Sequence, residues 1–282
     1  MLILDKKEGH LDDVKRFRMM ADPLAPLIKK NNQTALTILP ISGSGQLTLV
    51  EIHDLKKRLG SQKEIYVVDL REESHFFLNG QPVSWFEGGN DANRGLSVQQ
   101  IQFKEKELAE KVKNSSEVEL TKICGTKLNP VPQTSLVKVE SVILESDLCM
   151  ELGMNYVRLP ITDRRRPSDA TVDQFLKFLK TLKEGHWLHF HCKGGAGRTT
   201  SLMAMLDMLS HSNRHDLPEI VKRQHALGGR DLFELPLQDA WNYSHAVERS
   251  AFLQKFYKYC HASNQGILKS WSEWVATQSV DT

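Results

Sequence analysis

The chain has 282 residues, 40% of them hydrophobic and 26% charged, with a formal net charge of +2 at pH 7. This is the composition of a globular protein with a sizeable core, and it excludes a disordered or collagen-like chain. A near-neutral balance also excludes a global basic field for nucleic acid, so any preference for polyanions must come from local clusters.

No stretch reaches membrane-spanning length, which argues against stable membrane insertion. The N-terminal Met-Leu-Ile-Leu-Asp-Lys-Lys-Glu-Gly-His lacks a signal peptide's long apolar core. Action in the cytoplasm and export, into a host cell included, both stay open. The four cysteines, Cys124, Cys149, Cys192 and Cys260, are scattered without disulfide-framework spacing. With no internal repeat and no low-complexity tract, one catalytic domain over residues 1–282 is expected.

In chain order, a helix is expected from Thr48 to Leu59, with Ile52, Leu55 and Leu59 inward and Gly60 as its stop. Ile65–Leu70 then reads as a buried strand. Ser97 caps a charged helix to about residue 113 that turns Ile101, Leu108 and Val112 inward. Residues 117–124 and 134–143 read as two strands around Asn129-Pro-Val-Pro132, a small β insertion near 114–145. Asn155–Ile161 is a further core strand, and Thr171–Leu182 a helix. Strand Trp187–Phe190 leads to Cys192, and Thr199–Leu209 continues as an apolar, Met-rich helix whose methionines are core filler. Helices near 216–226 and 248–261 and a Trp271/Trp274 tail complete the chain. Strands alternating with helices predict an α/β fold with a mostly parallel central sheet flanked by helices.

The stretch His189-Phe-His-Cys192-Lys-Gly-Gly-Ala-Gly197-Arg198-Thr199 sits between an apolar strand and a helix. Its composition suits a phosphate cradle. Glycines let successive backbone N–H groups converge on an anion, and a helix N-terminus adds partial positive charge. The loop residues Lys193, Gly194, Gly195, Ala196 and Gly197 would surround the phosphate, and Arg198 can fork onto two of its oxygens. Such surroundings lower a cysteine pKa from about 8.5 to roughly 3.5–7.5, making Cys192 a candidate nucleophile. A bare Cys-x5-Arg is a weak signal; the longer pattern in its strand–helix context is much stronger. The bland alternative is a glycine turn beside a buried cysteine. Zinc on His186, His189 and His191 fails because no second ligand pair lies nearby at metal spacing.

A thiolate that displaces an alkoxide needs an acid for the leaving oxygen and then a base for water. Asp163, in the polar loop Thr162-Asp-Arg-Arg-Arg-Pro167, is the candidate for both, from a neighbouring strand end; alone it would read as a loop cap. Arg164 and Arg165 would bind further substrate phosphates, although such a run is often only solvated. Thr199 is placed to bond the cysteine sulfur. His191 is expected to orient the loop through hydrogen bonds.

Further segments carry a resemblance: Phe17-Arg18, Ser42-Gly-Ser-Gly-Gln46, Val68–His75 with Asn79-Gly80, Ala92-Asn-Arg-Gly95, Trp187–Cys192, Arg223-Gln-His225 with Gly228-Gly229, and Trp271-Ser-Glu-Trp274. Together with the cradle they make the chain resemble the protein-tyrosine-phosphatase-like inositol polyphosphatases, or cysteine phytases, of bacteria. The likeness runs from about residue 17 to 274.

The resemblance implies a phosphatase-like core with a small partial β-barrel insertion, no metal and no other cofactor, and stepwise phosphate removal through a phosphocysteine intermediate. It implies soluble inositol phosphates as substrates, with phosphoinositide lipids and then phosphotyrosine as alternatives. Cys192, Arg198 and Asp163 match its catalytic positions. Arg18 matches an arginine near the substrate, with a structural salt bridge as the other reading. The sequence departs from the family at Lys193–Ala196, where relatives carry Glu-Ala-Gly-Val, and at Arg164, where they carry His. A lysine-rich stretch of the family is replaced by Leu237–His245, nearly without positive charge. Lysine after the cysteine is also similar to phosphoinositide 3-phosphatases.

Overall fold

A computed structural model describes residues 1–6, 9, 11–20, 39–60, 64–87, 91–125, 129–264 and 269–278. Five strands form the central sheet: β2 (Arg18–Met19), β3 (Ile41–Ser44), β4 (Glu64–Arg71), β10 (Asn155–Ile161) and β11 (His186–His191). Their order is β10-β4-β11-β3-β2, parallel except for β2. Parallel strands buried on both faces read as continuous apolar runs, which is why Ile65–Leu70 was legible as a strand.

Helices cover both faces. On one side α4 (Asp169–Leu179), α5 (Gly197–His211), α6 (Leu217–Ala226), α7 (Tyr243–Asn264) and α8 (Trp271–Gln278) enclose a core with Phe175, Phe190, Met203, Phe256 and Trp271. On the other, α1 (Leu49–Leu59) and α3 (Glu145–Glu151) share a core of Ile52, Leu55, Val67 and Trp187. Side-chain caps fix several helix starts. Thr48 and Glu51 form a capping box on α1, as do Ser97 and Gln100 on α2 (Val98–Lys113) and Asp216 and Glu219 on α6. The helix expected over 171–182 instead starts after its cap Ser168 and ends at Leu179.

The expected β insertion belongs to a larger sheet. Strands β7 (Glu117–Gly125) and β8 (Pro130–Lys138) occupy its edge, while residues 126–128 lie outside the described chain. The full order is β8-β7-β1-β6-β5-β9, with β1 (Leu2–Leu4), β5 (His75–Leu78), β6 (Gln81–Trp85) and β9 (Val142–Ile143). Pro130 and Pro132 are inside β8 because an edge strand has N–H groups that need no ladder partner. The β5–β6 hairpin turns at Asn79-Gly80, with φ of 50° and 78°, the left-handed pair that a two-residue turn requires.

The chain crosses from the first sheet to the second at Glu72–Ser74, and buried charges tie the sheets together there. Arg71 pairs with Asp5 at 2.8 Å and with Glu73 at 3.0 Å, and Arg158 pairs with Glu105 at 2.7 Å. Removing one partner of such a pair costs about 3–5 kcal/mol, since the other charge is left buried.

Trp271 is 1% exposed; its indole N–H donates to Asp169 at 2.8 Å and its rings meet Phe252, Phe256, Tyr259 and Trp274. Trp271→Ala is therefore expected to destabilise the fold by about 3–5 kcal/mol in urea unfolding. A loss below about 1 kcal/mol would mean that α8 is dispensable to the core.

Candidate active site

Cys192 leaves the carboxyl end of β11, the strand held between β4 and β3, and is 3% exposed. The turn Lys193–Ala196 follows and α5 begins at Gly197 without a side-chain cap. Its first-turn N–H groups are thus left to whatever occupies the loop. Gly195 has φ 63°, and a Cβ there would run into the backbone of Ser44 and Gly45. The loop accordingly lies tight against the end of β3. The Thr199 hydroxyl donates to the Cys192 sulfur at 3.2 Å, as expected.

Arg18 departs from its expected role against substrate. It is 1% exposed and donates to the Gly195 carbonyl at 3.1 Å, the Thr200 hydroxyl at 3.0 Å and the Arg16 carbonyl at 2.8 Å. It braces the loop by hydrogen bonds rather than a salt bridge. Burial pulls its pKa down to about 10, opposed by the nearby Cys192.

Arg198 is equally buried, and its fork is already engaged. Glu73 accepts from both terminal nitrogens, at 2.8 and 3.1 Å, and the Ile161 carbonyl accepts at 3.1 Å. Asp163 lies 3.1 Å from the same guanidinium. Asp163 does not come from the strand beside β11. It follows β10, and β4 lies between the two, its exit supplying Glu73. Burial alone would raise the Glu73 carboxyl; Arg198 and Arg71 instead hold it well below the ordinary carboxylate range.

Cys192, Asp163 and Arg198 share a pocket of about 550 Å³ with Gly194, Ala196 and Gly197 of the loop. The same pocket is lined by Arg164, Arg230, Trp241, Asn242, His245 and Arg249. Of the side-chain cations expected to bind substrate, Arg18, Lys193, Arg164 and Arg165, only Arg164 lines the pocket. Lys193 is drawn away to Asp5 at 2.7 Å, a carboxylate supplied by the second sheet. Arg165 follows Arg164 in a tight turn, its amide donating to Thr162, and does not line the pocket. Arg230 and Arg249 went unseen because they lie 32 and 51 residues beyond Arg198 in sequence, without a local motif. Arg249 is buried and donates to the Arg164 carbonyl at 3.4 Å, and burial, then Arg230, pulls its pKa down to about 10.

His191 also differs from expectation: neither ring nitrogen makes a hydrogen bond. It stacks on His189 with ring centres 6.5 Å apart, and burial, with Arg71, lowers its pKa to about 3. His189 is occupied by the Ser42 and Ser44 hydroxyls. His75, beside His191, bonds through both ring nitrogens. Its Nδ1 lies 2.9 Å from the Glu73 carbonyl, which can only accept, and its Nε2 lies 3.1 Å from Glu145. Burial holds His75 neutral, so Nδ1 carries the proton and Glu145 must donate to Nε2. The Glu145 carboxyl is accordingly pushed up to about 8 by burial and by Asp69.

A parallel α/β sheet that delivers a cysteine into a glycine loop at a helix N-terminus is the phosphatase-like architecture. The family described as PTP-like phytase, inositol hexakisphosphate, matches residues 68–210, about half of the chain. The chain belongs to this family, whose members are phosphatases that hydrolyse phosphoric monoesters.

A PTP-like myo-inositol phosphatase from Mitsuokella multacida, solved with myo-inositol-(1,3,4,5)-tetrakisphosphate, is 31% identical with a TM-score of 0.86. The alignment covers 99% of this chain and 48% of that one. A PTP-like phytase from Bdellovibrio bacteriovorus is 29% identical with a TM-score of 0.77, over 98% of this chain and 94% of that one. Effector protein hopD2 of Pseudomonas syringae pv. tomato is 29% identical over 98% of the chain, which spans 60% of that protein.

Two outcomes follow from the site. Gly195→Ala should cost most of the activity, because the loop must leave β3 to admit the methyl group; unchanged turnover would show the close approach to be unimportant. Glu145 has a folded pKa above its unfolded value. Its contribution to stability is fully present below about pH 4.5 and is lost as pH rises to about 8. Glu145→Gln, which keeps a donor for His75, should therefore lose less stability than the parent between pH 5.5 and 8.5. Parallel melting-temperature curves would overturn the protonated carboxyl.

Proposed function

We propose that this chain is a cysteine-dependent inositol polyphosphate phosphatase working through a phosphocysteine intermediate. The observation that carries the reading is that Arg164, Arg230 and Arg249 line the same pocket as Cys192. One phosphate is served by the loop and Arg198; three further cations suit a substrate with several phosphates. The bound tetrakisphosphate of the Mitsuokella relative supports the same reading.

In the first step the Cys192 sulfur attacks phosphorus, an S–P bond forms and the ester P–O bond breaks. The leaving alkoxide takes a proton from Asp163. Water then attacks the phosphocysteine and gives its proton back to Asp163. A new P–O bond forms, the P–S bond breaks, and inorganic phosphate leaves with the sulfur stabilised by the Thr199 hydroxyl. Glu73 keeps Arg198 oriented throughout, because its two bonds do not depend on Asp163.

A phosphoinositide lipid is the second reading, and its sequence argument was the lysine after the cysteine. That ammonium is engaged by Asp5, so it favours neither substrate. Likeness to an effector protein supports export as the route of action. A translocation-reporter fusion tests this, and a signal confined to the producing cell would count against it.

Phosphate release from inositol hexakisphosphate, a soluble phosphoinositide and a phosphotyrosine peptide tests the substrate. Turnover is expected to be fastest on the hexakisphosphate and abolished in Cys192→Ser, with substrate binding retained. A fully active serine variant would sink the mechanism, and a faster lipid head group or peptide would sink the substrate assignment alone.

A further inference from the structure

Trp241 is 66% exposed, so core packing does not account for it, and it lies at the mouth of the Cys192 pocket. The Arg164 guanidinium lies over its ring, 4.2 Å from the centre. Arg164 has φ 68°, a left-handed conformation that an arginine adopts only when its surroundings hold it. Two contacts hold it from the C-terminal half of the chain: the Trp241 ring takes its side chain, and Arg249 donates to its carbonyl at 3.4 Å. The next residue back is Asp163, 3.1 Å from Arg198.

We propose that Trp241 is a positioning residue for the acid. Stacking of Arg164 on Trp241 clasps the Thr162–Pro167 loop over the cradle and so fixes where the Asp163 carboxyl meets the leaving oxygen. This rests on the cysteine-phosphatase reading above and adds a part to it. The turn that carries Trp241 is itself ordered by backbone bonds, Ala240 N–H to the Leu237 carbonyl and Tyr243 N–H to the Ala240 carbonyl, both at 2.9 Å. Arg164 is thereby more than a phosphate ligand, and Trp241 acts through it without touching the reacting atoms.

A loosened clasp matters only where the leaving group needs its proton. The test compares Trp241→Ala, Trp241→Phe and Asp163→Asn on an alkyl phosphate and on p-nitrophenyl phosphate, whose phenolate leaves unaided. A cation–π contact at an exposed site converts to roughly a two- to fivefold effect on rate. Trp241→Ala is expected to lose that factor in kcat on the alkyl phosphate and little on the aryl ester, with Trp241→Phe restoring most of it. Equal losses on both esters, or none on either, overturn the clasp. If Asp163→Asn also fails to distinguish the two esters, it is the acid assignment that falls; if Asp163→Asn distinguishes them and Trp241→Ala does not, only the clasp falls. Melting temperatures of the two Trp241 variants within a degree or two of the parent exclude a folding defect.

Discussion

Glu73 holds two arginines at once. One oxygen accepts from Arg71 and from Arg198, and the other takes Arg198's second nitrogen, all within 2.8–3.1 Å. Arg71 reaches on to Asp5, and Asp5 reaches Lys193 in the loop itself. A buried carboxylate is costly to desolvate, and here the cost is offset only because both cations are close and fully oriented. The geometry of the cradle, the exit of β4 and the seam between the two sheets therefore stand or fall together.

That constraint bears on the fork role proposed for Arg198. A guanidinium free to rotate would lose entropy each time it met a phosphate. Held by Glu73 and the Ile161 carbonyl, it is oriented before any ligand arrives. Thr199 and Arg18 act in the same sense on the sulfur and on the loop behind it. The residues that face the ligand are thus few, and most of the charge nearby fixes those few in place.

Electrostatics beneath the site follow the same logic with neutral groups. His189, His191 and His75 are all buried and all pushed toward the neutral form by desolvation. Three imidazolium ions among Arg71, Arg158 and Arg198 would be prohibitive. Keeping Glu145 protonated completes the set, since a carboxylic acid can donate where a carboxylate cannot. Positive charge is left concentrated on Arg18 and Arg198 near Cys192 and on Arg164, Arg230 and Arg249, which line the same pocket.

Much of this was legible along the chain. The apolar runs at 65–70, 155–161 and 187–190, the cap residues Thr48 and Ser97, and the glycine loop after Cys192 are local signals, and each gave its element to within a few residues. Cys192, the proposed nucleophile, Arg198 and Thr199 sit within eight residues of one another, so one strand–loop–helix unit determines their relation. What the sequence could not decide is where charge at a distance would go. Lys193 looks like a phosphate ligand in the sequence, but Asp5, just past β1 and 188 residues earlier, pairs with it. Arg18 reads as a substrate contact in the sequence and is buried against the loop's Gly195 carbonyl, while Arg230 and Arg249 reach the pocket from segments with no motif at all. Backbone propensity and short spacings are local and survive in one dimension. Ion pairing depends on which elements the fold brings within about 4 Å, and only the tertiary structure decides that.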